Sequence, residues 1–401
     1  MPAIAQPHER QISWFVLGLM ASVTFVGILS ELIPSGVLPQ MAEGLDVSES
    51  RVGFLVGVYA LASAICAIPL VSATLAVNRK KLLMALLIGF AASNIVVALS
   101  SSYEAIVAAR VLGGICAGVM WPMIAVYGTQ LVPESSQGKA ITVIMSGNTL
   151  GISIGLPVMT TIGIAFGWRI EFMVLGLIVA VIAVLSYFYL PSVEGEKLTK
   201  SNSPLAVLKM PSILIILLLT FLSVAAHYGA YTYITLIVEL INFVGGIGAA
   251  MLIFGIGSII SVVVSAKYID AYLRPLIVSM LVVGGISMAM LLAFRGAIGI
   301  SHMAFFLWGL AFGPLVTMYQ TAVSKQVAEA KGVATSVQSS VFNFSIMIAT
   351  GLGGLLLTNF PGRTGARGIV YLSLICFFSA AIIAFLCRGT LRSSSVALSK
   401  S

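Results

Sequence analysis

The sequence predicts an all-α membrane protein: twelve transmembrane helices in two six-helix halves around a central cavity. Three observations carry this expectation. Hydrophobic residues make up 59% of the chain and charged residues only 8%. A soluble globular protein carries about 25% charged residues, and so few charges cannot cover a water-exposed surface. Apolar runs long enough to cross a bilayer, about 20 residues, recur along the whole chain. The polar breaks between them divide Lys and Arg unequally, as the positive-inside rule describes.

Taken in order, the spans fall at 13–38, 51–73, 81–100, 105–131, 139–163, 169–190, 211–240, 246–268, 275–294, 302–324, 333–357 and 368–387. Each break carries charges or turn residues, from "MAEGLDVSES" after the first span to "DAYLR" after the eighth and "NFPGRTGARG" before the last. The first apolar run is too long for a signal-peptide core and lacks a small-residue cleavage site, so it counts as a span. The longest break, residues 191–210, is polar and central. It reads as a cytoplasmic linker between an N-terminal half, 1–190, and a C-terminal half, 211–401.

With the N-terminus inside, fifteen Lys and Arg lie on the cytoplasmic side, Arg79, Lys80 and Arg274 among them. Five lie outside (Arg51, Arg169, Arg295, Arg363 and Arg367), and Arg110, within a span, completes the 21. The expectation is a multi-pass protein of the plasma membrane, the inner membrane of a bacterium, with both termini cytoplasmic. The four cysteines, Cys66, Cys116, Cys376 and Cys387, sit inside apolar runs. Neither a disulfide nor a metal site is expected of them. No HExxH, Walker loop or His/Cys cluster occurs, and GxSxG is matched only by "GISIG" inside span 5, so nothing points to an enzyme.

A shift of 195 residues superimposes several features. Arg79 falls on Arg274, Gly53 on Gly248, Gly114 and Gly118 on Gly309 and Gly313, and Asn148 on Asn343. Five matches at equivalent points of the topology argue for duplication. Parallel six-span repeats are a transporter architecture with the substrate site near the midplane between them.

The motifs resemble those of the major facilitator superfamily, in its twelve-span drug:proton antiporter branch. The loop after span 2, "VSATLAVNRK", keeps the basic end of that family's signature in Arg79 and Lys80. The loop after span 8, "AKYIDAYLRP", keeps Asp270 and Arg274. Span 4 carries "RVLGG", with Gly114 four residues after Arg110. Span 5 carries "GNTLGISIGLP", with Gly147, Gly151, Gly155 and a Pro157 displaced by one residue from the antiporter pattern. "SELIPSGVLP" in span 1 and "HYGAYTYI" in span 7 are similar to the sugar, arabinose and nucleoside efflux subgroup. The resemblance implies a proton-coupled carrier that works by alternating access, with the conserved loop and glycine motifs serving conformational change.

The residues themselves point the same way. Glu31 is the lone carboxylate of span 1, and a charge at the bilayer centre costs about 2.5–3.5 kcal/mol on insertion scales. Burial favours the neutral acid and a nearby cation the ionised one, so a carboxyl set between the two can exchange protons. Arg110 lies roughly 8 Å and Glu31 roughly 11 Å from the outer side at 1.5 Å per residue. Contact between them is therefore expected; Arg110 either couples to the carboxyl or fixes span packing through backbone carbonyls. His227, in mid-span 7, sits beside the repeat mate of Glu31, Ala226. It is a second proton carrier, a substrate hydrogen-bond partner or a packing residue.

Tyr231, one turn on, with Tyr228 and Tyr233, offers rings with polar tips suited to a sugar or base. Asn148 and Asn343 lie near the midplane, where amides either line a site or bond across helices. Trp121 and Gln338 are candidate cavity walls. The Gly147, Gly151, Gly155 stripe reads as close helix packing.

The function expected is proton-driven export of a small organic molecule: a sugar, nucleoside or drug-like compound. A facilitator or proton symporter working in uptake is the alternative. The partners are the small-molecule substrate, protons and membrane lipid, with no nucleic acid; a monomer suffices. No cofactor is expected, because the proton gradient is the energy source, at about 1.4 kcal/mol per pH unit.

Overall fold

The computed structural model describes residues 13–133, 137–195, 208–293, 297–326, 331–387 and 391. Among them, twelve helices are long and apolar enough to cross a membrane, and there is no strand. They are α1 (Trp14–Gly36), α2 (Glu49–Val71), α3 (Arg79–Leu99), α4 (Tyr103–Gln130), α5 (Ala140–Phe166), α6 (Trp168–Tyr189), α7 (Pro211–Tyr231), α8 (Gly246–Ser265), α9 (Ala271–Ala293), α10 (Ile298–Val323), α11 (Ser336–Asn359) and α12 (Arg363–Leu386). Lipid offers the backbone no hydrogen-bond partners, so each span satisfies its own as a helix. The starts are set locally. Ser13, Ser48, Asn78 and Ser102 cap α1 to α4, each side chain accepting from a first-turn amide. Between α5 and α6 the chain turns at Gly167 with φ 97°, a conformation that favours glycine.

Four elements depart from the expected layout. The first span stops at Gly36, breaks at Val37 and continues as a short helix, Leu38–Leu45, over part of the expected loop; Pro39 opens that helix. The seventh stops at Tyr231 instead of 240, and a short helix Ile234–Leu240 follows. Helix continues through "DAYLR", broken only at Tyr272, which has φ −127° and ψ 32°. Inside α5 a π turn spans Gly151–Gly155, and Pro157 follows in the first turn of the next helical segment. A π turn takes in one residue more than an α turn, which accounts for Pro157 standing one place late.

The glycine stripe does pack closely. A Cβ on Gly147 would run into the Ala21 carbonyl, on Gly151 into Ile28 and the Phe25 carbonyl, and on Gly155 into the Phe25 ring. All three press α5 onto α1. The glycines of α4 and α10 repeat one contact. Gly114 abuts the Tyr59 carbonyl and Gly118 that of Ser63; Gly309 abuts the Phe254 carbonyl and Gly313 that of Ser258. Every partner is displaced by 195 residues from its mate. Ser93 Oγ donates to Ala109 O at 2.6 Å and Ser287 Oγ to Ala304 O at 2.9 Å, a similar contact in which the acceptors are 195 residues apart and the donors 194.

The end of the bundle holding the start of α1 is the near end, and the opposite is the far end. The first six and last six spans meet through α2 against α11 and through α5 against α8, from mid-span toward the far end in the α5–α8 pair. There Ser153 Oγ of the π turn donates to Gly255 O on α8 at 3.1 Å, and Thr160 Oγ1 lies 3.5 Å from Met251 Sδ. On the other flank Tyr233, expected near the substrate, instead wedges between Gly53 of α2 and Gly353 of α11, its hydroxyl donating to Thr350 O at 2.8 Å.

At the near end, residues 191–195 are pinned. Arg79 N donates to Val193 O at 2.8 Å and Tyr127 Oη to Pro191 O at 2.6 Å. Residues 196–207 of the expected linker lie outside the described residues. The Arg79 side chain is buried, and Lys80 lies over the Tyr187 ring. Arg274 donates to the Ala384 and Phe385 carbonyls at the end of α12, where a cation is favoured. The Asp270 side chain is outside what the structure describes.

Gly151→Leu forces a branched side chain between α5 and α1. Overpacking of this kind costs about 1–3 kcal/mol, so the variant is expected to unfold at lower temperature in detergent and to transport poorly; wild-type melting and flux would refute the packing role.

Candidate functional site

The site begins with a proline. Pro34 of α1 has no N–H, so the Ser30 carbonyl one turn back lacks its helical donor. Arg110 of α4 fills the gap. Its Nη1 donates to Ser30 O, Nη2 to Glu31 O at 2.8 Å, and Nε to Leu55 O of α2 at 3.1 Å. The guanidinium also lies over the Tyr59 ring, 4.3 Å from its centre. From α3, Asn94 Nδ2 donates to Ser30 Oγ at 2.9 Å. Four helices thus meet at Ser30 and Glu31, with Arg110 only 1% exposed.

The expected contact between Arg110 and Glu31 is present, but through the main chain. The one ion pair among the described residues is Arg51–Glu104, at the exposed far end. Arg110 spends its fork on three carbonyls. Glu31 is 4% exposed, its Oε1 has no partner, and its polar neighbours are the Arg110 guanidinium, with which it makes no ion pair, and the hydroxyls of Tyr228 and Tyr59.

Tyr228 joins Glu31 to an aromatic cluster of the last six spans. Its ring sits 4.8 Å from His227 and edge-on to Phe312 and Phe342. His227 stacks on Phe312, ring centres 3.6 Å apart, and has Phe254, Trp308 and Tyr231 within 6 Å. Three polar atoms of this cluster are buried without a hydrogen-bond partner: His227 Nδ1, Tyr231 Oη and Trp308 Nε1. Buried polar groups are usually paired, and these three leave hydrogen-bonding capacity in one apolar box.

The structure therefore brings together Glu31, Arg110, Tyr228, His227 and Tyr231. The other candidates stand differently. Trp121 is half-buried and packs beside Gly27, one turn from Glu31 on α1. Asn148 is half-buried beside Gly147. Asn343 donates to Ser339 O of its own helix at 3.0 Å, so it does not stitch helices together. Gln338 is 1% exposed with Oε1 unpartnered. Sequence reasoning missed Tyr59, Phe254, Trp308 and Phe312. The 195-residue shift held a signal for two of them, because it places aromatic Tyr59 on aromatic Phe254.

Comparison with known proteins agrees with the twelve-helix fold. The Major Facilitator Superfamily model matches residues 20–350. A probable sugar efflux transporter of Mannheimia succiniciproducens is 28% identical over 372 residues, covering 91% of this chain and 92% of its own. Among solved structures, a bacterial homologue of the human lysosomal transporter Spinster, inward-facing and occupied, superimposes with a TM-score of 0.73 at 13% identity, covering 94% of this chain and 97% of that one. The human organic anion transporter MFSD10 does so at 0.67 and 18%, covering 94% and 100%. A mutant of the nucleoside transporter NupG matches at 0.69 and 13%, covering 93% and 100%. At these identities the structures speak for the fold.

Arg110→Ala would leave the Ser30 carbonyl without a donor, at about 1–3 kcal/mol for an unsatisfied buried group, and would remove the added bonds to Glu31 O and Leu55 O. Thermal unfolding in detergent should fall sharply. Arg110→Lys keeps the charge but not the planar fork and should melt in between; equal melting of Lys and Arg forms would mean that charge, not the fork, is what counts.

Proposed function

On the premise that the chain belongs to the Major Facilitator Superfamily, and so is a transporter and not an enzyme, we propose that it exports a small polyhydroxylated molecule, a sugar, in exchange for protons. One observation carries the coupling. The Glu31 carboxyl is buried among the spans and free of any ion pair, and it faces a tyrosine from the other six spans. Arg110 is fully engaged with carbonyls, so the carboxyl is at liberty to take and give a proton. An ionisable group inside a membrane bundle is a functional residue by default.

The two halves, 1–190 and 211–401, rock about this point. With the near end cytoplasmic, the contacts of Thr160 with Met251 and of Tyr233 with α11 are the ones that would keep the outer end closed. A proton entering from outside neutralises Glu31; substrate from the cytoplasm pairs with the orphan donors of Tyr231 and Trp308 and with His227. Tyr228, touching both groups, senses both events. The similarity to a probable sugar efflux transporter supports a sugar as substrate, and aromatic rings with convergent polar tips suit one. The carrier works as a monomer in the inner membrane, with the proton gradient in place of a cofactor. It supplies about 1.4 kcal/mol per pH unit and about 2.3 kcal/mol per 100 mV.

Glu31→Gln should abolish proton-driven sugar accumulation in inverted vesicles while exchange of labelled for unlabelled sugar survives in part; undiminished proton-driven uptake into those vesicles would sink the coupling role. Accumulation in right-side-out vesicles instead would make the protein an uptake symporter. Tyr231→Phe and Trp308→Phe each remove one donor to the substrate, worth about 1 kcal/mol, so sugar binding by titration calorimetry should weaken several-fold; unchanged affinity in both would place the sugar elsewhere.

A further inference from the structure

Glu171, in the first turn of α6, takes no part in the site described above. Its side chain is 0% exposed, and both carboxyl oxygens lack a hydrogen-bond partner. The pocket around it is made by a missing side chain. A Cβ on Gly163 of α5 would overlap Glu171 Oε2 and the side chain of Val37, the residue where α1 breaks. The carboxyl thus fills the slot between α5, α6 and the end of α1.

No charge from the surrounding elements serves it. α5 contains no charged residue, α1 only Glu31, and α3 only Arg79, Lys80 and Lys81 at the near end. Arg169, on the same helix, lies over the Trp168 ring and donates to Ser100 O at 3.2 Å. Glu43 and Asp46 by the short helix Leu38–Leu45 are exposed. Burial is the one influence acting on the acid. An ionised carboxylate without partners in apolar surroundings is far costlier than the neutral acid.

The slot belongs to the layer that closes the far end. Thr160, three residues before Gly163, touches Gly36 on one side and Met251 of α8 on the other. Parting α5 from α8 would uncover the Thr160 side of α5, next to the slot, and bring water up to Glu171. We propose that Glu171 is a second proton-binding site, distinct from Glu31, which keeps its proton while the far end is closed and gives it to water when that end opens. The release step rests on the alternating-access reading; the protonation can be read without transport.

Infrared spectroscopy of the full chain in lipid nanodiscs tests both. In the Glu31→Gln background, the carbonyl stretch of a buried carboxylic acid should be present and should vanish on adding Glu171→Gln. Coincident spectra would overturn the site. Should Glu171→Gln fail to fold, treatment of the wild type with dicyclohexylcarbodiimide, which modifies protonated buried carboxyls, followed by peptide mass mapping, decides. Modification of Glu171 supports the site, and modification of Glu31 with Glu171 untouched overturns it. For release, a disulfide between cysteines introduced as Thr160→Cys and Met251→Cys in a chain without native cysteines locks the far end. The acid band should then persist to a pH higher by about one unit or more, a tenfold change in proton affinity. An unmoved titration with the band present would keep the proton site and refute its coupling to opening.

Discussion

The structure turns on a guanidinium that stands in for a missing amide. Pro34 takes one hydrogen bond out of α1 within a turn of Glu31, and Arg110 of α4 makes it good while also gripping α2. A break in a membrane helix is tolerated when neighbouring helices re-satisfy the freed backbone. Here the group that does so is a permanent cation, and its charge sits beside a carboxyl that it does not pair with. The same bond therefore holds three helices together and leaves Glu31 available. Exchanging the carbonyls for the carboxylate would be a natural second position for the fork, since Arg keeps its charge at any relevant pH.

Around this point the bundle is assembled from contacts that glycine makes possible. Gly114 and Gly118 seat α4 on the carbonyls of α2; Gly309 and Gly313 seat α10 on those of α8 in the same register. The stripe of α5 presses on α1, and its π turn faces α8 at the junction of the first and last six spans. Backbone-to-backbone packing of small residues is how membrane helices associate without a hydrophobic driving force between them. Such smooth surfaces also suit sliding.

Much of the fold was legible, because a lipid solvent imposes long apolar runs and leaves few alternatives. Eleven of the twelve spans fall within five residues of where hydropathy places them, and the seventh ends nine residues early. What escaped were departures from regular helix: the short helices after α1 and α7, the π turn, and the helix running on to Tyr272. Hydropathy is blind to these, since it tracks apolar content and not backbone geometry. The site was legible in part. Depth along a helix can be counted, and it put Arg110 level with Glu31; which atoms meet depends on rotation about the helix axes, which counting cannot provide. The missing N–H of Pro34 was the readable clue to a main-chain contact. Trp308 and Phe312 were hidden among other span aromatics, and Glu171 had no motif to mark it.

The central claim is that substrate and proton are exchanged through linked groups, Glu31 on one side of Tyr228 and the aromatic box on the other. Proton release on substrate binding measures that linkage most directly. Purified protein in weakly buffered detergent solution would be mixed with each member of a sugar panel while a pH indicator is read. The account predicts that the sugar that binds releases protons into solution, in proportion to site occupancy, and that Glu31→Gln binds it without release. Saturable binding of a sugar to the wild type with no proton released at any pH would contradict it.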